Sequence, residues 1–245
     1  MPINKQDFEA ELSKVFKKNG LGALLDIKKA ELFFLLTERM LTENEKYNLT
    51  AITEPDKIIL NHYADCAALA AKLPKKASVI DVGCGAGFPS LPLAIVRSDL
   101  NILAIDSTQK RINYVNETCE ILGVSNVKAV SVRAEDAAKN SEYRENFDFA
   151  TARAVAELRI LAELCLPFVK VGGSLLAMKG KNAEFEISGA KRAIAILGGD
   201  GAVSETVSLK NDTSELTHPI ITIKKKMKTP PAYPRPYAQI SKKPL

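Results

Sequence analysis

The most constraining feature of this chain is an apolar run that breaks into alternating glycines, Val79-Ile-Asp-Val-Gly-Cys-Gly-Ala-Gly-Phe88. Its first half has the β-branched composition of a strand buried on both faces. Gly83, Gly85 and Gly87 follow, and the mostly apolar residues 91–96 after them read as a helix. A strand that stops in glycines before a helix leaves a loop with no side chains to obstruct a ligand. The helix start then offers unpaired N–H groups to it. The dinucleotide fingerprint G-x-G-x-x-G is excluded, because the third glycine comes one residue early and Phe88 stands in its place.

The remainder of the chain supplies the setting for that loop. Strand-like runs at 78–82, 101–105, 127–132, 147–151 and 174–178 alternate with helical patterns, of which 109–122 and 183–197 are the clearest. Two further strands, near 202–209 and 219–225, complete about seven. Such alternation implies an α/β fold with a mostly parallel sheet. Right-handed crossovers then gather the ligand loops at the carboxyl ends of the first five strands. Upstream, residues 5–19, 28–46 and 55–73 carry helical spacing, with Phe8, Leu12, Val15 and Phe16 forming the first stripe. The expected organisation is a small helical N-terminal subdomain (1–74), a Rossmann-like core (75–226) and a basic, Pro-rich tail (227–245).

Composition narrows the function classes. An apolar fraction of 46% over 245 residues supports a sizeable core. There is no apolar run of membrane-spanning length and no signal-peptide pattern, so a soluble, cytoplasmic protein is expected. Four scattered cysteines and two histidines, with no C-x-x-C pair, argue against a metal centre or a disulfide framework. Nothing demands a dimer, and a monomer is expected. The net charge of +5 is unevenly placed: seven basic and no acidic residues follow from Lys224 onward, leaving the first 223 residues at −2. A tail of that kind suits phosphate contact.

Asp106 ends the second strand, 25 residues after Asp81, close to the separation at which an acid meets a ribose in βαβ nucleotide sites. A carboxylate accepts hydrogen bonds from two vicinal hydroxyls; the competing role is to cap the helix that follows. Glu135, after the third strand, is placed to meet an adenine edge. Arg133, Arg153 and Lys179 follow the third, fourth and fifth strands, and three cations around one cleft suggest an anionic substrate or a phosphate backbone. His62 reads as a packing residue and Cys165 as core.

The D-x-G-x-G-x-G loop resembles that of Rossmann-like, class I methyltransferases, where Asp81 and the glycine backbone would hold the amino-acid end of S-adenosylmethionine. The fourth strand lacks the Asn/Asp-Pro-Pro-aromatic loop usual for adenine amino groups, and no Pro-Cys pair offers a nucleophile for pyrimidine C5. A target that is already nucleophilic, such as guanine N7, remains.

Tyr47-Asn-Leu-Thr-Ala-Ile-Thr53, Asp81-Val-Gly-Cys-Gly-Ala-Gly-Phe-Pro-Ser-Leu-Pro-Leu93, Asp106-Ser107, Lys110-Arg111, Ala150-Thr-Ala-Arg-Ala154 and Ala177-Met-Lys-Gly180 together resemble the RsmG (GidB) family. These are bacterial methyltransferases of a guanine N7 in 16S ribosomal RNA of the small ribosomal subunit. The resemblance implies cofactor contacts at Gly83, Phe88, Ala134, Glu135 and Arg153, and places Arg133 and Lys179 close to the methyl-transfer cleft, where the strand ends also put Arg153. Rival readings are a methyltransferase of a small molecule or protein, and a non-catalytic RNA-binding factor that keeps the fold.

Overall fold

The computed structural model describes residues 3–180 and 182–245. Helix α1 (Lys5–Lys18) starts where the Asn4 side chain accepts the Gln6 and Asp7 N–H groups, and it buries Phe8, Leu12, Val15 and Phe16. Helix α2 (Ile27–Tyr47) is capped in the same manner by Asp26 and ends at Asn48, which takes a left-handed conformation. The third helical stretch is not uniform. Helix α3 (Pro55–Ile58) widens into a π-helical segment (Ile59–Ala64), tightens into α4 (Asp65–Ala67) and closes as a 3-10 turn (Ala68–Lys72). Hydrophobic spacing alone does not register such a change in pitch, which is frequent at functional sites.

The strands and helices that follow are β1 (Ser78–Val82), α5 (Ser90–Val96), β2 (Asn101–Asp106), α6 (Gln109–Leu122), β3 (Val127–Ser131) and α7 (Ala134–Ala137). They continue as β4 (Phe147–Arg153), α8 (Leu158–Cys165), β5 (Val169–Met178), α9 (Ala183–Ile196), β6 (Val203–Lys210), β7 (Glu215–Lys224) and α10 (Tyr237–Lys242). The seven strands form one sheet in the order β3-β2-β1-β4-β5-β7-β6. The first five are parallel, and β7 runs antiparallel to both β5 and β6. Strand order reverses between β1 and β4, the point at which open α/β sheets bind ligands.

Alternation along each strand divides the core in two. Val79, Ile102, Ala104, Leu176 and Met178 face a layer built from α1, α2, the 55–72 stretch, α5 and α6. Ile80, Val82, Leu103, Ile105, Leu175 and Ala177 face α7, α8, α9 and the C-terminal segment. The N-terminal helices thus share a continuous apolar core with the sheet. No described helix is long and apolar enough to cross a membrane.

The tail is packed rather than loose. Lys225 is buried, donating to Leu166 O (2.6 Å) and Thr229 Oγ1 (2.7 Å) with Glu145 at 3.4 Å. Burial lowers its pKa to about 8. Lys226 pairs with Asp200, and Arg235 with the fully buried Glu163. Three of the seven cations counted from Lys224 therefore meet carboxylates of the protein itself.

Candidate active site

The glycine loop is pulled over the end of β2. The N–H groups of Gly83 and Cys84 both donate to Ile105 O (2.8 and 3.0 Å), and Gly85 N–H donates to Asp106 Oδ2 (3.1 Å). Gly83 has φ +73°, and a Cβ there would lie 2.8 Å from Val155 Cγ2. A side chain would therefore be strained and crowded at once, which explains the residue. The second Asp106 oxygen accepts Thr108 N–H (2.8 Å) at the start of α6, and Arg111 lies 3.5 Å from Oδ2. Asp106 thus holds the start of α6 and also lines a cleft.

That cleft has a volume of about 360 Å³ and runs along the carboxyl edge of β1–β4. Arg133, Ala134 and Glu135 line the β3 end, Asp106 the middle, and Gly83 with Ala154 and Val155 the β1–β4 end. Glu135 is only 7% exposed, and among the described residues its carboxylate has no hydrogen-bond or ion-pair partner. A carboxylate that lines a cleft without a partner keeps its acceptor capacity for a ligand. Arg133 is exposed on the rim and equally without a partner among the described residues. Ala154 adopts φ +56°, a conformation unusual for a residue other than glycine.

Other nominated residues lie outside the cleft wall. Asp81 is fully buried beneath it, accepting Ser90 N–H (3.3 Å) and the Ser90 hydroxyl at the start of α5. Burial raises its pKa to about 6, and its Oδ1 has no partner. Gly85 acts through its N–H on Asp106. Phe88 is buried against His62, with ring centroids 4.6 Å apart, and Arg153 lies over its other neighbourhood at 5.1 Å.

The three cations do not converge. Arg153 shares strand parity with Phe149, which packs toward the helical layer, and it points there as well. Its guanidinium donates to Asn61 O (3.0 Å), to His62 Nδ1 (3.2 Å) and to Asp65 Oδ2 (3.3 Å). Lys179 shares parity with Leu175 and Ala177 and turns to the opposite layer. There it donates to Ala156 O (2.6 Å) and pairs with Glu186 (2.8 Å), whose Oε2 also accepts Leu158 N–H. Arg133 alone lines the cleft.

Sequence reasoning missed a buried network behind Arg153. Asp65 also contacts His218 of β7, whose pKa burial would lower but the Asp65 carboxylate raises overall. His62 is lowered to about 4 by burial and by Arg153. A guanidinium only donates, so His62 Nδ1 accepts from it and Nε2–H donates to Thr50 Oγ1 (2.9 Å). His62 therefore ties the Tyr47–Thr53 segment to the sheet, more than a packing role. Tyr237, from α10, also lines the cleft and carried no local signal beyond being an aromatic in a basic tail. Cys165 is fully buried in α8, and burial pushes its thiol far above the ordinary value. All four cysteines are free and buried.

A sheet in this order, with a glycine-lined cleft at its switch point, has the Rossmann-like fold of class I methyltransferases. The same fold occurs in a SAM-dependent O-methyltransferase of Thermotoga maritima, with TM-score 0.52, 14% identity, and coverage of 77% of this chain and 72% of that one. TYW2 of M. jannaschii, solved in complex with AdoMet, aligns with TM-score 0.52 at 16% identity over 66% of this chain and 75% of its own. The model of the GidB family, rRNA small subunit methyltransferase G, matches residues 29–217, and the chain belongs to that family. Relatives named ribosomal RNA small subunit methyltransferase G include that of Clostridium perfringens strain 13, 42% identical over 229 residues (93% of this chain, 95% of the relative). That of Oceanobacillus iheyensis is 42% identical over 231 residues (94% and 95%).

Proposed function

We propose that this chain is an S-adenosylmethionine-dependent methyltransferase that acts on N7 of a guanine in 16S ribosomal RNA of the small ribosomal subunit. The observation that carries the reading is the pairing of two carboxylates in one cleft: Asp106 at the end of β2, and Glu135, nearly buried and without a partner. A carboxylate has about four lone-pair sites. Asp106 uses one oxygen on Gly85 N–H and the other on Thr108 N–H, so it retains acceptor capacity for a ribose diol. Glu135 suits the exocyclic amine of adenine. The glycine loop, free of side chains, suits the amino-acid end. The donor set of the cleft thus fits the cofactor, which when bound supplies an electrophilic methyl group on a sulfonium.

The chain's own part in the reaction is positioning. Guanine N7 carries a lone pair and no proton, so no general base is needed, and holding the ring in line with the methyl group is the main requirement. The side chains agree with this economy: Cys165 is buried in α8 away from the cleft, and His62 is neutral and engaged with Arg153 and Thr50. Arg133, exposed at the rim, is available to an RNA phosphate.

The test is transfer of a labelled methyl group from the cofactor to small-subunit particles and to the RNA extracted from them, followed by mapping of the labelled base. Label on a guanine that becomes sensitive to N7-specific cleavage supports the proposal. Label on protein or on another atom, or no transfer to either substrate, overturns it.

A further inference from the structure

We propose that the C-terminal segment is a wall of the cofactor cleft, with Tyr237 covering its adenine end. The inference rests on the cofactor reading above. Tyr237 lies 20 residues beyond the last position matched by the family model, residue 217. It nevertheless lines the same cleft as Asp106, Arg133 and Glu135.

Its position is set by anchors on either side. Two residues before it, Arg235 donates its backbone N–H and Nε to Glu163 Oε1 (both 2.9 Å) and Nη2 to Oε2 (2.6 Å). Glu163 is fully buried in α8. Three residues after it, Ile240 is fully buried against the same layer. Further upstream, Arg144 donates to the carbonyls of Thr229 (2.8 Å), Pro230 (3.2 Å) and Tyr233 (2.9 Å). A terminal segment pinned by a buried carboxylate and by three carbonyls holds one orientation.

The ring itself is left uncommitted. Tyr237 is 41% exposed, and among the described residues its hydroxyl has no hydrogen-bond partner. Helix α10 packs on α8, and Tyr237 joins Leu164 of α8 in the wall of the cleft that Glu135 also lines. A planar aromatic in the same cleft as an unpaired carboxylate matches a purine whose face stacks and whose amine is hydrogen-bonded. Because the charge of Arg235 is met by Glu163, the segment is built to hold this wall and not only to meet phosphate.

The test is titration calorimetry on the full chain with S-adenosylhomocysteine and with adenosine, beside binding of a small-subunit RNA fragment at fixed salt. Tyr237→Ala is expected to weaken both small ligands about tenfold. Tyr237→Phe should stay within about twofold of wild type, since the ring is kept. Arg235→Ala is expected to weaken them too, and the double variant should add little to the larger single loss. Thermal melts identify any variant that is merely unfolded; Tyr237→Phe and Tyr237→Ala change an exposed side chain. Wild-type affinity for both small ligands in folded Tyr237→Ala, or a loss confined to RNA, overturns the proposal and leaves the cofactor reading standing. Failure of the wild-type chain to bind either ligand sinks both.

Discussion

The two ends of the cleft are built on opposite plans. At the β1–β2 end the polar groups are matched within the protein: Gly83 and Cys84 N–H to Ile105 O, Gly85 and Thr108 N–H to Asp106. At the β3 end, Glu135 and Arg133 face the cleft with no partner among the described residues, and Tyr237 joins them from the C-terminal segment. The first end presents a shape that its own hydrogen bonds maintain. The second presents functional groups that a ligand must complete. Substitutions at the first should therefore cost stability and affinity together, and at the second affinity alone.

The largest effect is expected behind the cleft, on the matched plan. Arg153→Met removes the cation that Asn61 O, His62 and Asp65 all use, and should lower unfolding free energy by about 3–4 kcal/mol in urea titration. Unchanged stability would show that this network is dispensable.

An acid titration of stability probes the same buried layer. His62, lowered to about 4 in the folded state, resists a proton that the unfolded chain accepts near 6.5. Its contribution is present above 6.5 and lost as pH falls toward 4, by about 3 kcal/mol. Asp81, raised to about 6, acts in the opposite sense, adding stability as pH falls from about 6 toward its unfolded value near 4. The two oppose each other in the wild type, and His218, raised by the Asp65 carboxylate, acts in the same sense as Asp81. Asp81→Asn should expose the His62 loss as a clear fall in Tm between pH 6.5 and 4, whereas His62→Gln should show a rise. Parallel profiles for both variants would refute the assignment.

Asp106→Ala should weaken cofactor binding roughly a hundredfold and also reduce stability by about 2 kcal/mol, because two backbone donors lose their acceptor. A purely functional loss would break the comparison at its first end. Glu135→Gln is the complement: about tenfold weaker cofactor, from replacing a charge-assisted hydrogen bond, with Tm unchanged. A drop in Tm there would mean that Glu135 has a structural partner after all.

Much of the fold follows from local pattern. β1, α6 and the start of β3 lie where apolar period and Gly123 put them, and Asp106 sits where strand spacing placed it. The fates of Arg153 and Lys179 are harder to read, because both stand at the carboxyl ends of parallel strands, which strand order alone places on one rim. Strand parity separates them: Arg153 falls in step with Phe149 and Lys179 with Ala177, on opposite faces. That rule is local, but applying it requires the register and the two layers. Tyr237 was illegible for a different reason, since its place depends on Glu163, a residue 72 positions from Arg235.

The widened turn at Ile59–Ala64 carries a consequence for how this protein can change over time. A π segment holds one residue more than the α-helix it interrupts. Deleting any one residue within it would restore regular pitch, leave the flanking turns in register and change which residues of the stretch face Arg153. His62 and the Asn61 carbonyl could not then meet Arg153 from the same side. Length in this short stretch is therefore more tightly constrained than chemical identity, and gaps should be rarer there than substitutions.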